Sequence, residues 1–135
     1  VLGDQREKNA MHVISEIDPH TGALLARNDY NTQFADRTAF FDVDDANKTV
    51  TCDRRDFIGR NRNLGTPSAM RRVHLSGKVG AGLDPCAAIQ VPFTLPDGEE
   101  HEIVFKMGIA GRPGADTYRF IQRYRGAFAA RNALQ

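Results

Sequence analysis

The chain has 135 residues, of which 41% are hydrophobic, 26% charged and 8% aromatic. That length suffices for one domain that folds without disulfides or a metal, because about two-thirds of the surface exposed on unfolding can be buried. Eighteen Lys and Arg against seventeen Asp and Glu leave a net charge of +1, which excludes a strongly basic nucleic-acid binder by bulk charge and an acidic solvating chain.

Residues 11–17 carry β-branched side chains in partial alternation and predict a strand. Asp18-Pro19-His20-Thr21-Gly22 is turn chemistry, and residues 23–27 predict the returning strand of a first hairpin. Residues 38–43 and 48–52, joined by the polar run Asp44-Asp45-Ala46-Asn47, predict a second hairpin. Phe57-Ile58-Gly59 reads as the end of a short extended piece. Residues 60–82 are rich in glycine, which predicts irregular backbone. One helical turn is expected at 68–72, with Thr66 as N-cap and Pro67 in the first helical position.

The clearest alternation follows. Ile89, Val91, Phe93 and Leu95 alternate with Gln90, Pro92 and Thr94, and Ile103, Phe105, Met107 and Ile109 with Val104, Lys106 and Gly108, while Pro96-Asp97-Gly98 lies between the two runs. This predicts a third hairpin with one apolar face, docked on a second sheet. Pro92 has no amide proton to give to a ladder, so it belongs at an edge or a bulge. From Asp116 the period changes: Tyr118, Ile121, Tyr124, Arg125 and Phe128 predict one amphipathic helix to about Ala133. Strands first and a helix last favour an all-β antiparallel sandwich with a C-terminal helix. The expected organisation is a partial β-sandwich over residues 1–112 and a helical linker over residues 113–135. The charged opening around residues 4–8 and the helical close at Leu134-Gln135 read as a piece of a longer protein.

No catalytic signature is complete, and no Cys or His spacing suits a metal, so the sequence assigns no catalytic residue, no metal and no cofactor. Gly77-Lys78-Val79-Gly80-Ala81-Gly82 lacks the order of a phosphate loop; its glycines are expected to permit close backbone packing. Cys52 and Cys86 could form one disulfide, but buried free thiols are the simpler reading. The four histidines read as surface or strand residues, and Asp44-Asp45 and Glu99-Glu100 as solvated turn residues. The density of Arg around Asp53 and Asp56 reads first as ion pairing. The functional alternative is a polar rim that meets sugar, phosphate or a neighbouring domain. Its candidate ligand-binding residues are Arg60, Asn61, Arg62 and Arg71, because the guanidinium fork offers five donors. Stacking aromatics are sparse there, which speaks against nucleic acid.

Residue order adds what composition cannot. Asp53-Arg54-Arg55-Asp56-Phe57-Ile58-Gly59-Arg60-Asn61 is followed by Thr66-Pro67-Ser68-Ala69-Met70, Leu75-Ser76-Gly77, and Gly80-Ala81-Gly82-Leu83-Asp84-Pro85-Cys86. Then comes Leu95-Pro96-Asp97-Gly98-Glu99-Glu100, running into Ile103-Val104-Phe105-Lys106-Met107-Gly108. Over residues 9–133 this resembles the N-terminal β-sandwich domain of glycoside hydrolase family 94, the cellobiose and chitobiose phosphorylases. The form it most resembles is that of cyclic β-1,2-glucan synthases.

The resemblance implies part of a galactose-mutarotase-like sandwich, with residues 118–134 starting a linker toward an (α/α)6 barrel. It implies that the general acid lies in that barrel and that this chain alone is not an enzyme. Family members cleave β-glucosides with phosphate, inverting the anomeric centre. In the glucan synthases a membrane-embedded glycosyltransferase region extends the glucan from UDP-glucose. The expected function is therefore a non-catalytic, carbohydrate-associated domain on the cytoplasmic side of a bacterial inner membrane. Its expected partners are the barrel and β-glucan oligosaccharide, not nucleic acid, with a homodimer of the fragment as a further option. The alternatives are a free-standing carbohydrate-binding module and a purely structural interaction domain.

Overall fold

The computed structural model describes residues 6–112 and 114–133. Expectations placed on the first five residues, on Pro113 with its domain boundary, and on Leu134-Gln135 lie outside the described residues. In chain order the elements are α1 (Arg6–Ala10), β1 (Val13–Ile17), β2 (Leu24–Asn28), β3 (Thr38–Val43), β4 (Thr49–Asp53) and α2 (Arg54–Ile58). A 3-10 turn over Ser68–Arg71 follows, then β5 (Pro85–Gln90), β6 (Phe105–Ala110), α3 (Ala115–Arg123) and α4 (Gly126–Ala133). All strand pairs are antiparallel, in a four-stranded sheet of order β1-β2-β3-β6 and a two-stranded sheet of β4 and β5. The antiparallel sandwich expected from the alternation is the architecture found.

The first hairpin forms as the sequence indicates, with Ile17 opposite Leu24 and Val13 opposite Asn28. Its turn is held by the Asp18 carboxylate, which accepts from the Thr21 amide at 2.9 Å. The second and third hairpins do not form. β3 lies in the larger sheet between β2 and β6, whereas β4 leaves for the smaller sheet and pairs with β5. β6 pairs with β3 from Thr38 opposite Ala110 to Val43 opposite Phe105. Residues 91–104 form no ladder, although the Glu99 amide still donates to the Pro96 carbonyl at 3.2 Å and Phe93 stacks on His101. Alternation tells which residues share a face, but it cannot say which strand lies alongside. Pro92 and Pro96 also withdraw two donors from the expected ladder.

Three further local expectations are corrected. Phe57 and Ile58 are helical in α2, because Asp53 caps it: its Oδ1 accepts from the Arg55 and Asp56 amides at 3.0 and 3.3 Å. The turn near residue 68 is 3-10, with Pro67 in the cap position and no side-chain cap. Thr66 instead completes an Asx turn, its amide donating to Asn63 Oδ1 at 3.1 Å. The C-terminal helix breaks in two at Tyr124 and Arg125, and Gly126 enters α4 at φ +83°.

The larger sheet is covered on one face by α3, where Ile121 packs with Ala23, Leu25, Phe40 and Ala110. Gly108 permits this approach, since a Cβ there would meet the Phe40 ring at 2.8 Å. On the other face Leu24 packs with Val50 and Cys52 of β4, joined by Phe41, Val79, Leu83 and Ile89. Residues 77–80 close one margin between the sheets. Gly77 donates to the Val50 carbonyl at 2.8 Å, and Cys52 donates to the Lys78 carbonyl at 2.7 Å. At the far end of this segment the Ser15 amide of β1 donates to the Gly80 carbonyl at 3.1 Å. Close packing is not what its glycines serve, because Cβ atoms at Gly77, Gly80 and Gly82 would meet nothing within 4 Å; the positive φ at each is what calls for glycine.

The opposite margin is open. Phe105 stacks on Phe41, but Met107 and Ile109 remain 83% and 65% exposed. The apolar face expected to dock on a second sheet is thus largely uncovered. Each such side chain, if fully buried, would contribute about 1.5–3 kcal/mol.

A buried ionic cluster fastens the helices to the sheet. Asp42 of β3 pairs with Lys48 and, at 3.2 Å, with Lys106 of β6. Lys106 also reaches Asp44 at 2.5 Å and the Ile121 carbonyl at 3.5 Å. Asp44 in turn accepts from the Gly126 amide at 2.6 Å. Asp44 is therefore not the solvated turn residue its neighbours suggest. Asp45 is closer to that reading, and it accepts from the Asn47 amide at 2.7 Å.

Candidate functional site

The Arg-rich stretch folds into one small module. α2 and the 3-10 turn pack together at Gly59, whose φ of +83° and ψ of 162° turn the chain at the helix end. A Cβ at Gly59 would sit 1.9 Å from Ser68 Oγ, so only glycine lets the two segments meet. Asn61 follows with φ +59°, which Asn tolerates better than most residues.

Asp53, Arg54, Asp56 and Arg72 of this stretch are committed to ion pairs. Arg54 grips Asp84 through Nε at 2.9 Å and Nη2 at 2.8 Å, a fork on one carboxylate oxygen. Arg72 pairs with Asp56 at 2.9 Å. Lys78 bridges Asp53 and Asp56 at 3.5 and 3.7 Å. Ion pairing is thus the first role of the cluster, with Asp84 and Lys78 as partners that the local sequence does not reveal. They lie far along the chain and arrive through β5 and the 77–80 segment.

The four candidate ligand residues are distributed unevenly. Arg60 is exposed and lines a depression of about 520 Å³ with Asp53, Arg55, Asp56, Lys78 and Asp84. Asn61 is exposed on the next residue of the loop. Arg62 is half-buried and donates to the Thr66 carbonyl at 3.3 Å, which braces the loop. Arg71 is exposed at the end of the 3-10 turn. Leu64, Met70 and Val73 of the same stretch are also largely exposed.

Asp56 has its pKa lowered, first by a hydrogen bond from Ser76 and then by the hydrogen bond from Arg72. Ser76 is itself 3.0 Å from the Thr51 hydroxyl, so the carboxylate ends a chain of polar groups that begins in β4. A depressed folded pKa adds stability that is present above the unfolded value and is lost as pH falls through the folded value. Asp56→Asn is therefore expected to cost stability at neutral pH and progressively less as the pH falls below 3.8. Urea midpoints of both proteins at pH 7 and pH 2.5 check this. A cost independent of pH would show that the charge of Asp56 contributes nothing.

The thiols of Cys52 and Cys86 are free. Burial raises the Cys52 pKa and pushes Cys86 up to about 12, so both stay protonated at neutral pH and are poor nucleophiles. Among the histidines, His12 stacks on Tyr30 at 4.0 Å and His20 meets Tyr118 edge-on. Among the described residues no group of three or more His, Cys, Asp or Glu could hold a metal ion, and no helix is long and apolar enough to cross a membrane.

Comparison with known proteins adds the context that this geometry lacks. Residues 1–127 match the model of the glycosyl hydrolase 94 supersandwich domain. The chain is also 34% identical over 114 residues to the cyclic beta-(1,2)-glucan synthase NdvB of Rhizobium meliloti (strain 1021). That match covers 84% of this chain and 4% of the relative, so the chain spans a small part of the curated protein it resembles. Two packed antiparallel sheets, residue order and this match agree, and the chain belongs to the glycosyl hydrolase 94 supersandwich-domain family.

Proposed function

We propose that the chain is a non-catalytic sandwich domain of a cyclic β-1,2-glucan synthase, supporting an (α/α)6 catalytic barrel, with residues 113–135 leading toward it. On this reading the general acid lies outside these residues. The domain sits on the cytoplasmic side of a bacterial inner membrane as part of a larger membrane protein. The observation that carries the reading is the surface around β6. A groove of about 480 Å³ runs between β6 and the two C-terminal helices, lined by Phe40, Val104, Phe120, Tyr124, Ala130 and Ala133. Beside it Phe105, Met107, Ile109 and Phe120 stand exposed, and large apolar side chains grouped at one surface mark contact with a further body. Glucan contact, the second part of the proposal, belongs to Arg60, Asn61, Arg62 and Arg71: Arg60 lines the 520 Å³ depression, Asn61 follows it exposed, Arg62 braces the loop and Arg71 is exposed on the 3-10 turn.

Two measurements on the 135-residue chain test the two parts. Incubation with β-1,2-glucan and inorganic phosphate is expected to release no glucose 1-phosphate; release would end the non-catalytic assignment. Titration with β-1,2-glucooligosaccharides to millimolar concentration is expected to shift the amide resonances of Arg60 and Asn61 saturably. Unmoved resonances would remove glucan from the proposal.

A further inference from the structure

The geometry points to a missing strand: an extended apolar segment from elsewhere in the same polypeptide pairs with the free edge of β5 and covers Phe105, Met107 and Ile109. This inference rests on the reading above only in taking these residues as part of a larger chain.

The argument is one of layer registry. The two sheets stack strand over strand from the closed margin outward. Residues 77–80 meet β1 through the Ser15–Gly80 bonds. Next, Val50 and Cys52 of β4 pack with Leu24 of β2. Ile89 of β5 joins the same cluster with Phe41 of β3. The larger sheet has a fourth strand, β6, whereas among the described residues the smaller sheet has no strand beyond β5. Strands within a sheet are about 4.7–4.9 Å apart and stacked sheets about 10 Å, so the position beyond β5 falls over the face of β6 that it shares with Phe41.

Three observations describe what fits there. Among the described residues, the backbone of β5 makes no hydrogen bond on the side away from β4, so it offers a ladder. Beneath that position the side chains are Phe105, Met107 and Ile109, all exposed and all apolar. The intervening Lys106 points the other way, into the ionic cluster, so no charge faces the vacant position from β6. The occupant is therefore a strand with apolar residues at alternate positions, hydrogen-bonded to β5 as a strand rather than lying on the face as a helix. Its source is the remaining polypeptide, because the matched relative is far longer than this chain, which covers 4% of it. A second copy of these 135 residues is the rival source.

The test uses thiol accessibility, which is independent of catalysis. Met107→Cys is introduced into the full polypeptide encoded by the gene and into the 135-residue chain, with Val73→Cys as an exposed reference. Maleimide labelling is followed peptide by peptide by mass spectrometry. Labelling at position 107, relative to position 73, is expected to be at least tenfold slower in the full polypeptide than in the 135-residue chain. The backbone amides of β5 are expected to gain hydrogen-exchange protection in the same comparison. Equal labelling in both would overturn the inference. Protection that appears in the 135-residue chain and grows with its concentration would also overturn it, in favour of a second copy. A full polypeptide that protects position 107 but makes no glucan would sink the enzyme assignment and leave the strand in place.

Discussion

Asp42→Ala is expected to destabilise the domain by about 3–5 kcal/mol, the range for breaking a buried ion pair by removing one partner. The Asp42 side chain is only 4% exposed and sits between Lys48 and Lys106, themselves 10% and 8% exposed. Without it, the partners of Lys48 among the described residues are carbonyls, Val43 at 3.0 Å and Thr21 at 3.3 Å. Lys106 keeps Asp44, so the loss falls first on the β3–β4 turn and then on the seat of Ile121. A urea midpoint shifted down at unchanged m-value would confirm it. A loss below about 1 kcal/mol would mean that the cluster behaves as a hydrated surface pair.

The second large effect is expected at Gly59. Its backbone, at φ +83° and ψ 162°, lies in a region that is essentially glycine-only and costs other residues about 1–3 kcal/mol. The added Cβ would also overlap Ser68 Oγ at 1.9 Å and Ser68 Cβ at 2.7 Å, an overpacking cost of about 1–3 kcal/mol. Gly59→Ala should therefore lose about 2–6 kcal/mol, the sum of those ranges. Adding Ser68→Gly should recover the steric share and leave the backbone share. No recovery in the double variant would show that contact with Ser68 is not the reason for glycine. Because α2 and the 3-10 turn carry the Arg60 rim, the single variant should also displace the amide resonances of Arg60 and Asn61.

Local signals were legible where the chemistry is local. Asp18 with Gly22 specified the first turn, and Pro67 with Ser68 specified the site of a helical turn. The cap of α2 was also readable, since Asp53 precedes residues that can be helical. The apolar run Phe57-Ile58 masked it. Around the candidate site the sequence showed the density of Arg but not its bookkeeping. Asp84 and Lys78 become the partners of Arg54 and Asp56 only after two distant segments fold beside α2.

What the sequence by itself determined was the first hairpin, the positions of β3, β4 and β6 to within a few residues, and the all-β class; it set the next strand at residues 89–95, whereas β5 runs Pro85–Gln90 and Val91, Phe93 and Leu95 lie in no ladder. Period-two alternation is a property of the extended chain and survives any choice of neighbour. Tertiary structure alone decided which strands pair. β3 takes β6, β4 takes β5, and the two best-looking hairpins open to let the chain change layers. Pairing is settled by which apolar faces can cover each other and by where buried charges find partners. Asp42 in β3 and Lys106 in β6 stand opposite each other and meet as an ion pair, 64 positions apart in the chain.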